Sequence, residues 1–235
     1  MNLLLFEPSD RDQAGRVAVR GRRLQHLRGV LGARPGDRVR VGEIGGAMGS
    51  GEILSMDRES ALLAPCLDLP PPPKLPLELV LALPRPKMLR RILRTVAECG
   101  VPHLHLINSY RVEKSYWQTP ALEASVVRDY LLQGLEQAQD TILPVVTVHR
   151  GFRPFAEDRL PGLCEGRRAL AAHPGDHPPC PRGLPGPTLL AIGPEGGFIP
   201  YEVDKLGEAG CELVSLGPRI LRVETAVAHL IGRLA

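Results

Sequence analysis

The chain has 235 residues, of which 43% are hydrophobic, with a formal net charge of +3. That is enough apolar material for a buried core in one or two domains, which excludes a disordered chain. No apolar run approaches the roughly 18 residues of a membrane span, and MNLLLFEPSD lacks the basic start and long apolar middle of a secretory leader, so a cytoplasmic protein with no membrane contact is expected.

Charge is unevenly placed. Residues 1–40 hold nine Arg and four acids, +5, and the rest of the chain is therefore −2. A basic module beside a slightly acidic one suggests a polyanion as partner, nucleic acid being the commonest case; an Arg-rich soluble surface reads the same way. Early in the chain, RVAVR, DRVRVGE, GEILSM and SALLAPCL are short alternating or apolar runs separated by Gly, Pro and Asp, with amphipathic RRLQHLRGVL between the first two. These predict a small β-barrel with one helix. GGAMGSG (45–51) lies between two strands, which makes it a hairpin loop and not a phosphate cradle, since no helix follows.

LPPPPK (69–74) continues neither strand nor helix and predicts a stiff spacer between domains at 1–70 and 75–235. Beyond it the rhythm is strand, helix, strand, helix. LELVLAL is a strand, PKMLRRILRTVAECG a helix closed by Gly100, VPHLHLI a strand, and LEASVVRDYLLQGLEQAQ a long helix. PVVTVH, helical FRPFAED, RRALAAH, TLLAI, a helix from Pro200, CELVSL and the helix ETAVAHLIGRL complete the chain. The alternation predicts an α/β fold with a mainly parallel sheet, which binds ligands beyond the carboxyl ends of its strands.

On the first of these helices Lys87, Arg90, Arg91 and Arg94 fall on one face, opposite a stripe of Leu89, Ile92, Leu93 and Val96. Four cations in line suit phosphates, or simply a solvated face. Aromatic residues are only 4%, which argues against a base-stacking single-strand binder, and Trp117 reads as core or interface. The five cysteines, at 66, 99, 164, 180 and 211, never fall as C-x-x-C and read as reduced, buried and inert. His173, Asp176, His177 and Cys180 in HPGDHPPC match no common zinc spacing, so this segment reads as a loop and no metal is expected. The last helix spaces Val223, Ala226, Val227, Leu230, Ile231 and Leu234 as a core or dimer face, with His229 structural.

Two strand ends are rich in glycine and charge: AIGPEGG and VSLGPRILRVETA. At each an apolar strand stops at Gly, where the missing side chain lets the backbone turn sharply and approach a ligand. Gly-Lys-Ser/Thr, G-x-G-x-x-G and G-x-S-x-G are all missing at these ends, which excludes a Walker loop, a dinucleotide turn and a hydrolase elbow. A neutral or cationic cofactor held by main-chain groups fits better than a polyphosphate.

GPEGGF (193–198) followed by LGPRILRVETA (216–226) resembles the RsmE-type ribosomal RNA uridine N3-methyltransferases of the SPOUT superfamily. The likeness extends to His26, Val30, Leu31 and Pro35 to Asp37, to LALP before a helix, to ECG, to Ser109 and Arg111, and to Glu136, Gln137 and Pro144. It implies a PUA-like RNA-binding barrel, a SPOUT α/β domain tied in a deep trefoil knot, S-adenosyl-L-methionine as cofactor, ribosomal RNA or the assembled small subunit as partner, and a homodimer. Carried over by motif, the cofactor would be held by Leu83, Pro84, Ile192, Gly193, Pro194, Glu195, Gly196, Gly197, Leu216, Gly217, Ile220, Leu221, Thr225 and Ala226.

Methyl transfer to uracil N3 needs charge stabilised on the base and a proton lost, tasks that suit Arg219 and Arg222 on the uracil oxygens or its phosphate and Glu195 or Glu224 as proton acceptor; each also reads as a cap or an internal salt bridge. RNA would meet Arg22, Arg23, Arg28, Lys87, Arg90, Arg91 and Arg111. Three positions depart from the family pattern. Asp140 and Gly32 stand where arginines are usual, and Ile199 replaces a capping serine, which leaves its helix with a weaker cap unless another group supplies it. The first two bear on substrate, so a different RNA, or a non-catalytic RNA- or ribosome-binding relative, is the alternative.

Overall fold

A computed structural model describes residues 2–235. The chain divides into two compact units, the first running to Pro73 and including Leu132–Leu143, the second formed by Lys74–Leu131 and Pro144–Ala235. Prolines mark the first crossing. The return of Leu132–Leu143 has no punctuation of that kind, and the sequence reading assigns this segment to the second domain.

In the first unit β1 (Leu4–Phe6), β2 (Val17–Val19), α1 (Gly21–Gly29), β3 (Arg38–Glu43), β4 (Met48–Met56) and β5 (Ala61–Leu69) follow in order. The sheet order is β1-β3-β4-β5-β2, with β1 parallel to β3 and the other pairs antiparallel. β1 is missing from the predicted elements because three apolar residues carry no period. Its core is Leu4, Phe6, Val17, Val19, Leu24, Leu27, Val41, Ile53 and Leu63.

Several arginines of this unit are tied within it. Arg22 donates from both Nη atoms to the two carboxylate oxygens of Glu136 at 2.8 Å, and Glu136 is buried. Arg23 donates to Asp10 at 2.8 Å and to the Leu5 carbonyl at 3.0 Å. Asp140 is also buried, its Oδ1 accepting the Ile142 N–H at 2.9 Å, a local turn bond that aspartate makes well.

The second unit runs β6 (Leu77–Ala82), α2 (Pro86–Glu98), β7 (His103–Ile107), then α3 (Ala124–Ala138), whose last turns belong to the first unit. β8 (Val145–His149), α4 (Phe152–Asp158), α5 (Leu160–Cys164), β9 (Arg168–Ala172), β10 (Thr188–Ile192), α6 (Pro200–Glu208), β11 (Glu212–Val214) and α7 (Val223–Leu234) follow. The six strands form one sheet, β11-β9-β10-β6-β7-β8, parallel at every pair. Such strands are covered on both faces, which is why TLLAI is apolar after Thr188 and all five residues are buried. α2 buries Leu89, Ile92, Leu93, Val96 and Ala97; the four larger side chains contribute roughly 1.5–3 kcal/mol each by leaving water.

The chain builds outward from β6 through β7 to β8, then crosses to the other side for β9, β10 and β11. β6 and β10 therefore flank the point where strand order reverses.

Candidate functional site

A cleft with about 650 Å³ of space between atoms, part of it open to solvent, lies at the carboxyl ends of β9, β10 and β11 and is closed by α7. Two turns wall it. In the first, β10 ends at buried Gly193, where a Cβ would come within 3.1 Å of the Phe198 ring and 3.2 Å of its backbone nitrogen. The chain then reverses: the Gly197 N–H donates to the Pro194 carbonyl at 2.8 Å, and Gly197 takes φ +73°, a left-handed value that disfavours side chains. In the second, the Gly217 N–H donates to Ser215 Oγ at 3.1 Å and Gly217 takes φ +99°.

α6 begins directly after the first turn with Pro200 at its first position. Another group supplies its cap. Glu202, buried, accepts the Ile199 N–H at 3.1 Å, the Ser109 hydroxyl at 3.0 Å and the Tyr110 N–H at 2.7 Å. Three donors satisfy a carboxylate that burial alone would penalise. Glu202 thus pins the loop after β7 to the start of α6, and Arg111 of that loop donates to the Gly196 carbonyl.

Ten of the expected cofactor residues line the cleft: Ile192, Gly193, Pro194, Glu195, Gly197, Leu216, Gly217, Ile220, Leu221 and Ala226. Four do not. Leu83 and Pro84 are buried past the end of β6, with the Leu83 N–H committed to the Ile107 carbonyl. Gly196 sits exposed on the outside of its turn, and Thr225 is exposed on α7, between the lining positions 223 and 226. Of the expected catalytic residues Arg219 lines the cleft, whereas Arg222, exposed at the N-cap of α7, and Glu224, in its first turn, do not. Glu195 lines it but is ion-paired with Arg85 at 2.9 Å.

Ala172, His173, Pro174, Ser215, Val223 and Leu230 complete the lining and escape the motif reading. The available signal is RRALAAH ending beside TLLAI, since neighbouring carboxyl ends share one crevice. His173 holds Nδ1 2.6 Å from the Pro174 carbonyl and Nε2 3.3 Å from that of Phe198, beside Gly197.

The expected RNA-facing cations divide sharply. Arg22 and Arg23 are ion-paired as above, Arg111 is spent on Gly196, and exposed Arg28 reaches only the Arg58 carbonyl at 3.5 Å. On α2, Arg90 and Arg94 lie over Tyr130 at 5.9 and 5.2 Å from the ring centre. Lys87 and Arg91 are exposed and make no ion pair among the described residues.

On the face of β6, β7 and β8, His105 approaches Glu78 at 3.3 Å and His149 at 3.4 Å, while Arg167 holds the other Glu78 oxygen at 2.8 Å. Glu78, His103 and His105 each place one ligand atom within 4.8 Å of the others. Yet the two imidazoles are stacked, 4.0 Å apart and 20° from parallel, so their in-plane lone pairs do not converge on one ion. Burial, aided by His103, lowers the His105 pKa to about 4, which keeps the ring neutral.

Residues 71–235 match the RNA methyltransferase domain family. The ribosomal RNA small subunit methyltransferase E of Treponema pallidum is 33% identical over 96% of this chain and 87% of its own length; that of Synechocystis is 28% identical over 93% and 72%. The chain belongs to this RNA methyltransferase family. Among solved structures, the ribosomal RNA small subunit methyltransferase E of Neisseria gonorrhoeae, bound to S-adenosyl methionine, superposes with a TM-score of 0.77 at 20% identity, covering 98% of this chain and 95% of its own. Family membership rests on the sequence matches, and the superposition extends the common fold to both units.

Proposed function

We propose that this RNA methyltransferase uses S-adenosyl-L-methionine to methylate N3 of a uridine in small-subunit ribosomal RNA. In this reading residues 1–70 form a PUA-like barrel that touches RNA, residues 75–235 a trefoil-knotted SPOUT domain, and the protein works in the cytoplasm as a homodimer on ribosomal RNA or the assembled subunit. The observation that carries it is the cleft: two glycine turns at neighbouring strand ends, apolar Ile192, Leu216, Leu221, Val223 and Leu230 around them, and main chain presented where side chains would intrude. That lining fits a flat, largely uncharged adenosine with a short amino-acid tail better than a polyphosphate, because Arg219 is its single Arg or Lys.

When bound, the cofactor supplies an electrophilic methyl group on a sulfonium. The chain's own tasks are to orient the uracil in line with it and to ease loss of the N3 proton. Arg219, exposed at the cleft rim, places a cation where negative charge spreads onto the uracil oxygens. Glu195, tied to Arg85, holds the turn; Arg222 and Glu224, outside the lining, act on α7 itself.

Arg219→Ala is expected to lower turnover about 100-fold, in line with the loss of one charge-stabilising donor, and to leave calorimetric affinity for S-adenosyl-L-methionine unchanged. Nucleoside mass spectrometry of rRNA from a deletion strain tests the whole reading: 3-methyluridine should vanish and return with the wild-type gene. Its persistence would sink the proposal. Gly32, exposed at φ +60°, and buried Asp140 offer no cation where the family has arginine, which favours a second reading, a different RNA or a non-catalytic RNA-binding role. Loss of another modified nucleoside in the same measurement supports the different RNA, and no loss supports the non-catalytic role.

A further inference from the structure

Two of the five cysteines are not isolated. Cys164, the last residue of α5, and Cys211, just before β11, stand 47 positions apart in sequence and bring their sulfurs to 3.9 Å. Cys164 is half-buried and Cys211 buried. Neither lines the cleft.

The two thiols are unequal. A hydrogen bond from Cys211, together with the Arg167 charge, lowers the Cys164 pKa against the opposing effect of burial. The same contact and burial raise that of Cys211. Cys164 is thus the more acidic and the more accessible thiol of the pair, and Cys211 the shielded thiol behind it; such an arrangement divides attack from resolution. The backbone favours closure too: a Cβ on Gly210 would lie in ordinary contact, 4.0 Å, with Cys164 Cβ, so the segment carrying Cys211 already rests against α5.

We propose that Cys164 and Cys211 are an oxidative modification site that takes a hydroperoxide and closes to a reversible disulfide. The Cys164 thiolate attacks the terminal oxygen of ROOH, the O–O bond breaks, RO⁻ takes up a proton and leaves as ROH, and a sulfenic acid forms. Cys211 gives up its proton and attacks the Cys164 sulfur; the S–S bond forms and the hydroxyl departs with that proton as water. Two electrons pass from the thiols to the peroxide, and two thiols plus ROOH yield one disulfide, ROH and water. The bond would staple α5 to the turn entering β11, at the amino end of the sheet and away from the cleft.

The test treats the full-length protein with cumene hydroperoxide at one to three equivalents, then counts thiols after unfolding and maps peptides by mass. Free thiols should fall from five to three, with a cross-link joining the Cys164 and Cys211 peptides, reversed by dithiothreitol. The closed loop should raise Tm by roughly 5 °C. Cys211→Ser should leave a sulfenic acid at Cys164 that dimedone captures, whereas Cys164→Ser should leave Cys211 unreacted at the same dose. Two outcomes overturn the site: full alkylation of Cys164 and Cys211 while Cys66 or Cys99 oxidises, or overoxidation of Cys164 in the wild type with Cys211 still free.

Discussion

The cleft of the second unit and the arginines of the first present opposite ways of using residues. In the cleft the working surface is backbone: Gly193, Gly197 and Gly217 make room, and among charged side chains only Glu195 and Arg219 line it, one of them already paired. In the first unit the conspicuous residues are charged, and the best placed are consumed internally, Arg22 by Glu136 and Arg23 by Asp10. A glycine at a strand end announces its use locally, because a missing side chain means something only where the chain turns. An arginine does not, since its partner lies anywhere in the sequence; Glu136 is 114 residues from Arg22.

The largest expected effect tests the backbone half of that contrast. Gly193→Val puts a branched side chain against the Phe198 ring and backbone, where the nearest atoms belong to a buried turn. Affinity for S-adenosyl-L-methionine is expected to drop at least about 100-fold, the order of one or two overpacking penalties. Gly196→Ala is the contrast: its Cβ meets the Arg111 side chain at 2.8 Å, outside the cleft lining, and a long side chain can move. Calorimetry should find affinity reduced less than 10-fold. Equal losses for the two variants would erase the distinction between the inside and the outside of the turn.

Acid separates the two units. His105 is held neutral with a pKa of about 4, against about 6.5 when exposed, so between these values the unfolded chain binds the extra proton. Stability of the second unit is full above about pH 6.5 and falls as the pH drops toward 4, by up to about 3 kcal/mol. In the first unit, burial pushes the Asp10 carboxyl up, but bonds from Arg23 and the Glu7 backbone outweigh it, and the net shift is downward. That contribution is lost only below about pH 4. Hydrogen exchange between pH 7 and 4.5 should therefore loosen the β6–β8 peptides first. His105→Leu, which cannot take up the proton, should flatten that response.

Breaking Arg22 measures what the paired arginines do. Arg22→Ala leaves the Glu136 carboxylate buried, its side chain 4% exposed, with its bidentate partner gone. Loss of a buried pair's partner is costly, and because Arg22 itself is 57% exposed the expected destabilisation is discounted to about 2 kcal/mol. Urea unfolding measures it. A variant of full stability with weakened RNA binding would return Arg22 to the RNA surface.

Much of the second unit was legible in the sequence for physical reasons. Parallel strands covered on both faces run nearly apolar, as LELVLA and TLLAI do apart from Glu78 and Thr188, and the intervening helices carry one apolar face. The glycine turns were legible because a strand end that turns sharply favours glycine: Gly193 packs closely on Phe198, and Gly197 and Gly217 take left-handed φ values that disfavour side chains. What was not legible depended on distance. The return of Leu132–Leu143 to the first unit, the lining role of His173, the replacement cap from Glu202 and the Cys164–Cys211 approach each join segments that no local period connects. The shift of Gly196 and Thr225 out of the lining has a local cause: motif letters do not say which side of a turn or helix faces inward.

Lys87 and Arg91 give the smallest effect and the cleanest one. They share the α2 face with Arg90 and Arg94 but lack the Tyr130 stacking that engages those two. Removing Arg91 takes away neither an ion pair nor buried area, so Arg91→Ala should shift urea stability by less than about 0.5 kcal/mol. If this face meets phosphate, the same change lowers the slope of log affinity against log salt by about 0.7–0.9. Arg23→Ala, offered the same RNA, should move stability and leave that slope unchanged. The two variants thus exchange signatures, and an unchanged slope for Arg91→Ala would remove α2 from the RNA-binding surface.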